Sequence, residues 1–409
     1  MNAIAELRSL NREQRAAFIA SLLGWTLDAF DFFLMVFVVR PIAAEFHAEV
    51  PAVALAIALT LMFRPLGALI FGWLADRFGR RPVLMADILL FSLLELATAF
   101  APSLTAFLIL RALFGIAMGG EWGIGASLVM ESIPVRSRGL VSGILQEGYP
   151  LGYLLAAIVY GLFFDLIGWR GLFVIGVAPA FLVLYIRFGV KESPAWVLNR
   201  GRPNRRRLLP SLRHHWKLLL YVIALMTAFN FFSHGTQDLY PTFLQAQHGL
   251  KTHVVSAIAI VGNIGAIAGG ICFGAWSQKL GRRRAIMTAA AIALPIIPFW
   301  AFATTPVLLG LGAFMLQFAV QGAWGVIPAH LNELFPDEIR GTFPGFAYQL
   351  GNFFASYNAV IQARFAATHG GNYALALAVI AAIMAVAVIA LTACGREARE
   401  VVMGGQPAD

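Results

Sequence analysis

The sequence predicts an all-α integral membrane protein of twelve transmembrane helices arranged as two six-helix halves. Three observations predict it. The 409 residues are 59% hydrophobic and 12% charged, whereas a soluble domain is roughly one quarter charged. Apolar runs long enough to cross a hydrocarbon layer of about 30 Å as a helix recur along the whole chain. Two loop sequences return at one spacing, so the chain reads as a duplication.

The apolar runs fall at residues 16–43, 52–75, 82–101, 104–129, 140–164, 169–190, 217–246, 253–276, 285–303, 306–330, 342–368 and 372–394. Stretches such as YALALAVIAAIMAVAVIALTAC exclude the alternating segments of about ten residues that build a β-barrel. The first run holds Asp28 and Asp31, is too long for a signal-peptide core and lacks a cleavage site, so it is expected to remain as a span. Cys272 and Cys394 lie in apolar runs, where cysteine acts as a small hydrophobe, and neither has metal-ligand spacing.

The net charge of +9 is distributed unevenly. Alternate loops carry Arg77, Arg80 and Arg81, then Arg136 and Arg138, a central cluster from Lys191 to Lys217, then Lys279 with Arg282, Arg283 and Arg284, and finally Arg340. The opposite loops hold Arg40, Arg170, Lys251 and Arg364. The positive-inside rule puts the basic loops and both termini on the cytoplasmic side of a cell (inner) membrane. The basic surplus thus orients the chain in a lipid bilayer and calls for no nucleic acid.

Residues 72–81, GWLADRFGRR, return as GAWSQKLGRR at 274–283, an offset of 202 (274 − 72). The stretch ESIPVRSRG from Glu131 returns as ELFPDEIRG from Glu333 at the same offset. The halves are 1–190 and 217–409, joined by a polar, basic linker over 191–216 that serves as tether and orientation signal. Six spans bring the chain back to its starting side, so the halves run parallel.

Gly72, Asp76, Arg77, Gly79, Arg80 and Arg81 fit the G-x-x-x-D-R-x-G-R-R signature of the major facilitator superfamily, and Arg111, Gly115 and Gly119 resemble its fourth-helix motif. The resemblance implies a transporter whose halves rock about a central site. It also implies a conformational latch in the 72–81 loop, with Asp76 set against arginines and the positive end of a neighbouring helix. The rival reading of those arginines is that they only fix topology.

A charge at mid-bilayer costs about 2.5–3.5 kcal/mol on insertion scales, so an ionisable residue there is expected to face a cavity or a partner. Asp28, Asp31, Arg64, Asp87, Glu95, Arg111, Glu121, Glu147, His234 and Asp238 all fall within the apolar runs. Asp28 and Asp31, three residues apart, share a helix face. Paired carboxylates near an arginine can take up and release a proton as the structure changes. By resemblance to proton-driven members of the superfamily, Arg111 serves Asp28 or Asp31; a permanent salt bridge is the structural alternative. Glu121 and Glu147 are expected to tie helices together through backbone or arginine contacts.

The seventh run continues into NFFSHGTQDLYPT at 230–242. At about 100° per residue, Asn230, Ser233, His234, Gln237 and Asp238 occupy one arc of roughly 140°. Such a stripe suits the wall of a central pathway. Interhelical hydrogen bonding alone, at about 0.6 kcal/mol per contact, hardly requires so many polar groups.

With Thr242, the pattern resembles the seventh-helix signature of Jen-type lactate and pyruvate permeases, which are grouped with bacterial sialate porters in a sialate:proton symporter family. That resemblance places Arg64, Gln349 and Asn352 in carboxylate recognition. The chemistry agrees: a guanidinium grips a carboxylate with two hydrogen bonds, while amides and hydroxyls complete recognition of a hydroxyl or keto group. Arg64 is the expected anchor, with Asn230, Ser233, His234, Gln237, Gln349 and Asn352 around it. His234 and Asp238, at i and i+4, form a titratable pair or, alternatively, a helix-internal hydrogen bond.

No nucleophile constellation, metal-ligand cluster or nucleotide loop is present in the sequence. The chain is expected to be no enzyme, to use no cofactor or metal beyond the proton as coupling ion, and to act as a monomer. Its expected substrate is a small monocarboxylate such as lactate or pyruvate, with sialic acid or another larger organic acid as the alternative.

Overall fold

A computed structural model of the chain describes residues 10–48, 50–199, 208–337, 339–399 and 401, and every regular element among them is helical. In the first half these are α1 (Arg12–Glu45), α2 (Val50–Phe78), α3 (Arg80–Ala99), α4 (Leu104–Met118), α5 (Glu121–Ser132), α6 (Arg138–Gln146), α7 (Gly148–Ile175) and α8 (Pro179–Gly189). A short α9 (Pro194–Asn199) follows. The second half contains α10 (Leu208–Gln237), α11 (Tyr240–Ala246), α12 (Thr252–Leu280), α13 (Arg282–Phe302), α14 (Pro306–Trp324), α15 (Ile327–Leu334), α16 (Phe343–Ala355), α17 (Asn358–Thr368) and α18 (Tyr373–Cys394).

Eleven stretches of the described residues are long and apolar enough to cross a membrane. The remaining expected crossing, 342–368, is divided between α16 and α17. At the break the Ser356 hydroxyl turns back to the Phe353 carbonyl at 2.6 Å, offering that carbonyl an alternative to the helical ladder. The fold is the expected one of twelve crossings, and the runs at 104–129, 140–164, 217–246 and 306–330 are likewise divided, between α4 and α5, α6 and α7, α10 and α11, and α14 and α15. Within the linker expected at 191–216, α9 and the first turns of α10 are helical, and α10 kinks at His215 (φ −108°, ψ 16°). Arg200, Arg202, Arg205, Arg206 and Arg207 lie outside the described residues.

Local sequence sets the helix ends. Asn11 and Gln14 form a reciprocal capping box at 2.9 Å, while the Ser103 and Asn372 side chains accept from the first turns of α4 and α18, which satisfies backbone donors that have no intrahelical partner. Between α2 and α3, and again between α12 and α13, the chain turns on a single glycine at positive φ, Gly79 at 110° and Gly281 at 93°. A side chain would strain both turns.

The duplication is visible in packing. A Cβ on Gly67 would collide with the Ile116 carbonyl, and one on Gly269 with the Phe318 carbonyl; both residues of the second pair lie 202 positions after the first. Small residues at these crossings let helix backbones approach closely, as is usual where lipid rather than water surrounds the bundle. Each half has its own apolar core, centred on residues such as Phe91, Phe107 and Phe173 in the first and Phe229, Trp300 and Leu316 in the second. Leu166, Phe181, Phe188 and Val307 point outward, as apolar side chains do toward lipid. The halves meet where α6 packs on α12 and where α16 packs on α2.

Candidate functional site

At the end carrying the basic loops the halves are clamped. Asp76 accepts from the Gly341 amide at 3.1 Å and from the Thr342 hydroxyl. Arg80 donates to Asp76 at 2.8 Å and to Glu131 at 3.0 Å, and the Glu192 carboxylate accepts from the Arg80 amide at 2.9 Å. The second half repeats this arrangement. Arg282 donates to Glu333 at 2.9 and 3.0 Å, Glu397 accepts from the Arg282 amide at 3.1 Å, and Gln278, at the position matching Asp76, accepts from the Gly139 amide at 3.3 Å.

Of the six loop residues singled out in the sequence, Gly72, Asp76 and Arg80 sit at this seam; a Cβ on Gly72 would press on the Thr342 backbone. Gly79 makes the turn. Arg77 is exposed over the Trp73 and Phe78 rings, and Arg81 donates to the Arg187 carbonyl within its own half.

Near the middle of the molecule, Arg64 from α2, Asn230, Ser233 and His234 from α10, and Asn352 from α16 line a small chamber of about 20 Å³. Leu61, Tyr149, His234 and Gln321 border both this chamber and a cavity of about 480 Å³ above it. Gln237 and Asp238 line that larger cavity. Its outer walls come from the halves of α1, α2, α10 and α12 farthest from the basic loops, so it opens at the end opposite the clamp.

Arg64 is 2% exposed and pairs with fully buried Asp28 at 3.1 Å. The expectation that Arg111 would serve Asp28 is therefore corrected, while Asp31 lies within the electrostatic reach of Arg111 without a hydrogen bond to it. Arg111 donates to Glu95 at 2.5 Å and Thr98 at 2.8 Å, against the rings of Phe114 and Phe173. Each of these arginines takes the carboxylate at its own depth, and Asp28 lies at the depth of Arg64. Both carboxyl oxygens of Asp31 are buried without a hydrogen-bond partner.

His234 bridges two elements, with Nδ1 3.1 Å from Asp238 and Nε2 3.0 Å from Oδ1 of Asn352. Asn352 donates in turn to Gln349 at 3.1 Å, so both imidazole nitrogens face oxygens. A doubly protonated ring satisfies all these contacts, and its orientation is fixed by them. The helix-internal bond and the titratable pair expected for His234 and Asp238 are one and the same contact. Gln349 is fully buried and leaves its own Nε2 unpartnered. The rest of the stripe also bonds between helices: Gln237 donates to Gln317 at 2.9 Å, Gln321 donates to Ser233 at 3.2 Å, and Asn230 donates to the Tyr348 carbonyl at 3.4 Å. The Thr242 side chain lies outside the described residues.

Glu121 and Glu147 do not tie helices together as expected: both oxygens of each are buried with no hydrogen-bond partner, as are those of Asp87. Glycines face them instead, Gly24 toward Glu121 and Gly270 toward Glu147, and a glycine brings no side-chain donor. Sequence reasoning also missed Gln146, Tyr149, Gln321, Trp324 and Tyr348, which all line the chamber. One signal was available: Gln317 and Gln321 are a polar i, i+4 pair inside an apolar run.

Residues 17–359 match the Major Facilitator Superfamily, and the chain belongs to that family. A carboxylic acid transporter protein homolog from Saccharomyces cerevisiae is 31% identical over 392 residues, 90% of this chain; the chain spans 64% of that relative's length. The sialic acid transporter NanX of Escherichia coli is 29% identical over 355 residues, 85% of this chain and 86% of NanX. Among solved structures, the proton:xylose symporter XylE bound to 6-bromo-6-deoxy-D-glucose superimposes with a TM-score of 0.79, covering 96% of this chain and 98% of that one at 20% identity. That likeness concerns the fold. The matched proteins are transporters, and the chain is not an enzyme.

Proposed function

We propose that the protein is a proton-coupled symporter of small monocarboxylates such as lactate or pyruvate, working as a monomer by alternating access in the cell membrane. The observation carrying this reading is the buried Arg64–Asp28 pair at the floor of a chamber to which both halves contribute. A substrate carboxylate reaching Arg64 competes with Asp28 for one guanidinium. When the substrate wins, Asp28 is left in a site where an unpaired charge costs several kcal/mol. Taking up a proton removes that cost, so substrate and proton bind together. His234, Asn230 and Asn352 then hold the remaining oxygens of the substrate.

With the basic loops on the cytoplasmic side, the cavity faces outward and the clamp closes the inner end. Sequence similarity to the yeast carboxylic acid transporter homolog supports the substrate class. A larger organic acid, sialic acid included, is the second reading; the cavity of about 480 Å³ above the chamber and the similarity to NanX favour it.

Uptake of labelled lactate into proteoliposomes, with and without an inward proton gradient, tests the proposal. Gradient-insensitive uptake removes symport. Competition by sialic acid but not by pyruvate selects the larger substrate.

A further inference from the structure

Glu147 occupies the break between α6 and α7, at the seam with the second half. It is 2% exposed, and neither carboxyl oxygen has a hydrogen-bond partner. Its carboxyl lies directly on Gly270 of α12, where any Cβ would collide with Oε1. Around it the backbones of the two halves are in close contact: Gly143 faces Gly270 and Gly274, Gly325 faces the Gly270 carbonyl, and the Ser142 hydroxyl donates to the Gly325 carbonyl at 2.8 Å. The seam is closely packed at this point.

The duplication supplies a comparison within the chain. Gly139 and Gly341 donate equivalent amide bonds, to Gln278 and Asp76, which fixes the 202-residue register here. In that register Glu147 corresponds to Gln349. The second half therefore carries a neutral isostere at this position, inside the unbroken α16 rather than at a helix break, so the duplicated register does not itself call for an acid.

The elements packed on the junction bring few groups that could serve the carboxyl. They are Trp25 and Asp28 from α1, Gln321 from α14, His330 from α15 and Tyr348 from α16, with Arg138 and Tyr149 on α6 and α7 themselves. None of them hydrogen-bonds Glu147. Asp28 is engaged by Arg64, and Arg138 by the Met130 and Val401 carbonyls. An ionised carboxylate without donor or counter-ion is strongly disfavoured in such surroundings, whereas the carboxylic acid is tolerated. Gln146 and Tyr149, on either side of Glu147, line the chamber, so the acid lies one residue from its wall.

We propose that Glu147 is a proton-binding site of the seam, separate from Asp28. It carries a proton while the clamped end is closed against Gly270 and releases it to the cytoplasmic side when α6 and α12 part. The inference rests on the alternating-access reading but not on which acid is carried.

The test is a pulsed electron-spin distance measurement in nanodiscs, without substrate. Labels are placed through Arg136→Cys and Lys279→Cys, two exposed positions on opposite halves of the clamped end, after Cys272→Ser and Cys394→Ser. For one proton, the closed-to-open ratio changes by up to tenfold per pH unit. The otherwise native protein is expected to populate longer distances as pH rises, and Glu147→Gln to stay closed throughout. Glu147→Asp, which keeps the acid, is expected to retain a pH response. A Gln variant that opens with pH like its parent overturns the proposal, and so does a parent whose distances ignore pH, for which no variant is needed. Failure of lactate uptake with the pH response intact would sink the substrate reading and leave this site standing.

Discussion

Replacing Arg64 separates the pairing with Asp28 seen in the structure from the anchor role proposed for the same side chain. Arg64→Ala removes the guanidinium 3.1 Å from Asp28. The other Asp28 oxygen already lacks a partner, so the carboxylate loses its sole hydrogen-bond donor. Breaking a buried pair by deleting one member costs about 3–5 kcal/mol, because the remaining charge is uncompensated. Adding Asp28→Asn replaces that charge with a buried amide whose unmet hydrogen bonds cost about 1–3 kcal/mol. The double variant is therefore expected to be about 2 kcal/mol more stable than Arg64→Ala alone. Substrate affinity must behave differently. A charged hydrogen bond contributes about 1.5–3 kcal/mol, which is about 10- to 150-fold in Kd, and Asp28→Asn cannot restore it. Thermal unfolding followed by tryptophan fluorescence, paired with lactate binding by calorimetry, reads both quantities. Wild-type affinity in the double variant would refute the anchor role, and equal stability of the two variants would refute the argument from the orphaned carboxylate.

Three other outcomes are expected. Asp76→Asn weakens the charged contacts to Arg80 and the bonds to Gly341 and Thr342; at about 1.5–3 kcal/mol it should shift the population toward an open basic end by at least tenfold, read by the same spin-label pair. His234→Phe loses the contacts to Asp238 and Asn352 and should weaken lactate binding about tenfold or more while the protein remains folded; an unchanged Kd would remove His234 from the site. Gly67→Ala would set a methyl against the Ile116 carbonyl and should abolish stable expression. Gly161→Ala, which meets nothing within 4 Å, should leave expression intact and gain up to about 1 kcal/mol of helix stability. Equal expression of the two glycine variants, measured by fluorescence-detected size exclusion, would contradict the close-packing argument.

The fold was legible because the features that specify it are periodic and redundant. Apolar length specifies a crossing without reference to any partner, and Gly72 to Arg81 announces the repeat before any packing is known. The break at Ser356 was not legible, since apolar length reads the same whether the helix that fills it is continuous or divided. The same limit applies to the site. The arc from Asn230 to Asp238 follows from helix geometry, which is local, and so does the contact between His234 and Asp238. Pairing between spans is not local. Sequence spacing offered Asp28 and Asp31 to Arg111 equally well, but depth along the bundle assigns Arg64 to Asp28 and Glu95 to Arg111. Tyr149 and Trp324 could not be recognised as chamber residues, because an aromatic in an apolar run looks the same whether it faces lipid, core or cavity.

Where the register of the duplication is fixed by equivalent contacts, the two halves differ at three buried positions. Asp76 corresponds to Gln278, Glu147 to Gln349 and Glu121 to Ala323, so at these positions the first half holds an acid and the second a neutral side chain. The frame around these positions is kept: Arg80 and Glu131 recur as Arg282 and Glu333, with the same ion pair, and Trp122 recurs as Trp324. Among the described residues the duplicated bundle preserves its loop ion pair, yet the buried acids outside that pair, Asp28, Asp31, Asp76, Asp87, Glu95, Glu121 and Glu147, all lie in the first copy. On the proposed function, proton handling falls to the half that holds Asp28 and Glu147. On the same reading, shape and hydrogen-bond recognition fall to the half that presents Asn230, His234 and Asn352, and Arg64 is the point of contact, since a carboxylate from either source, protein or substrate, would occupy it but not both at once.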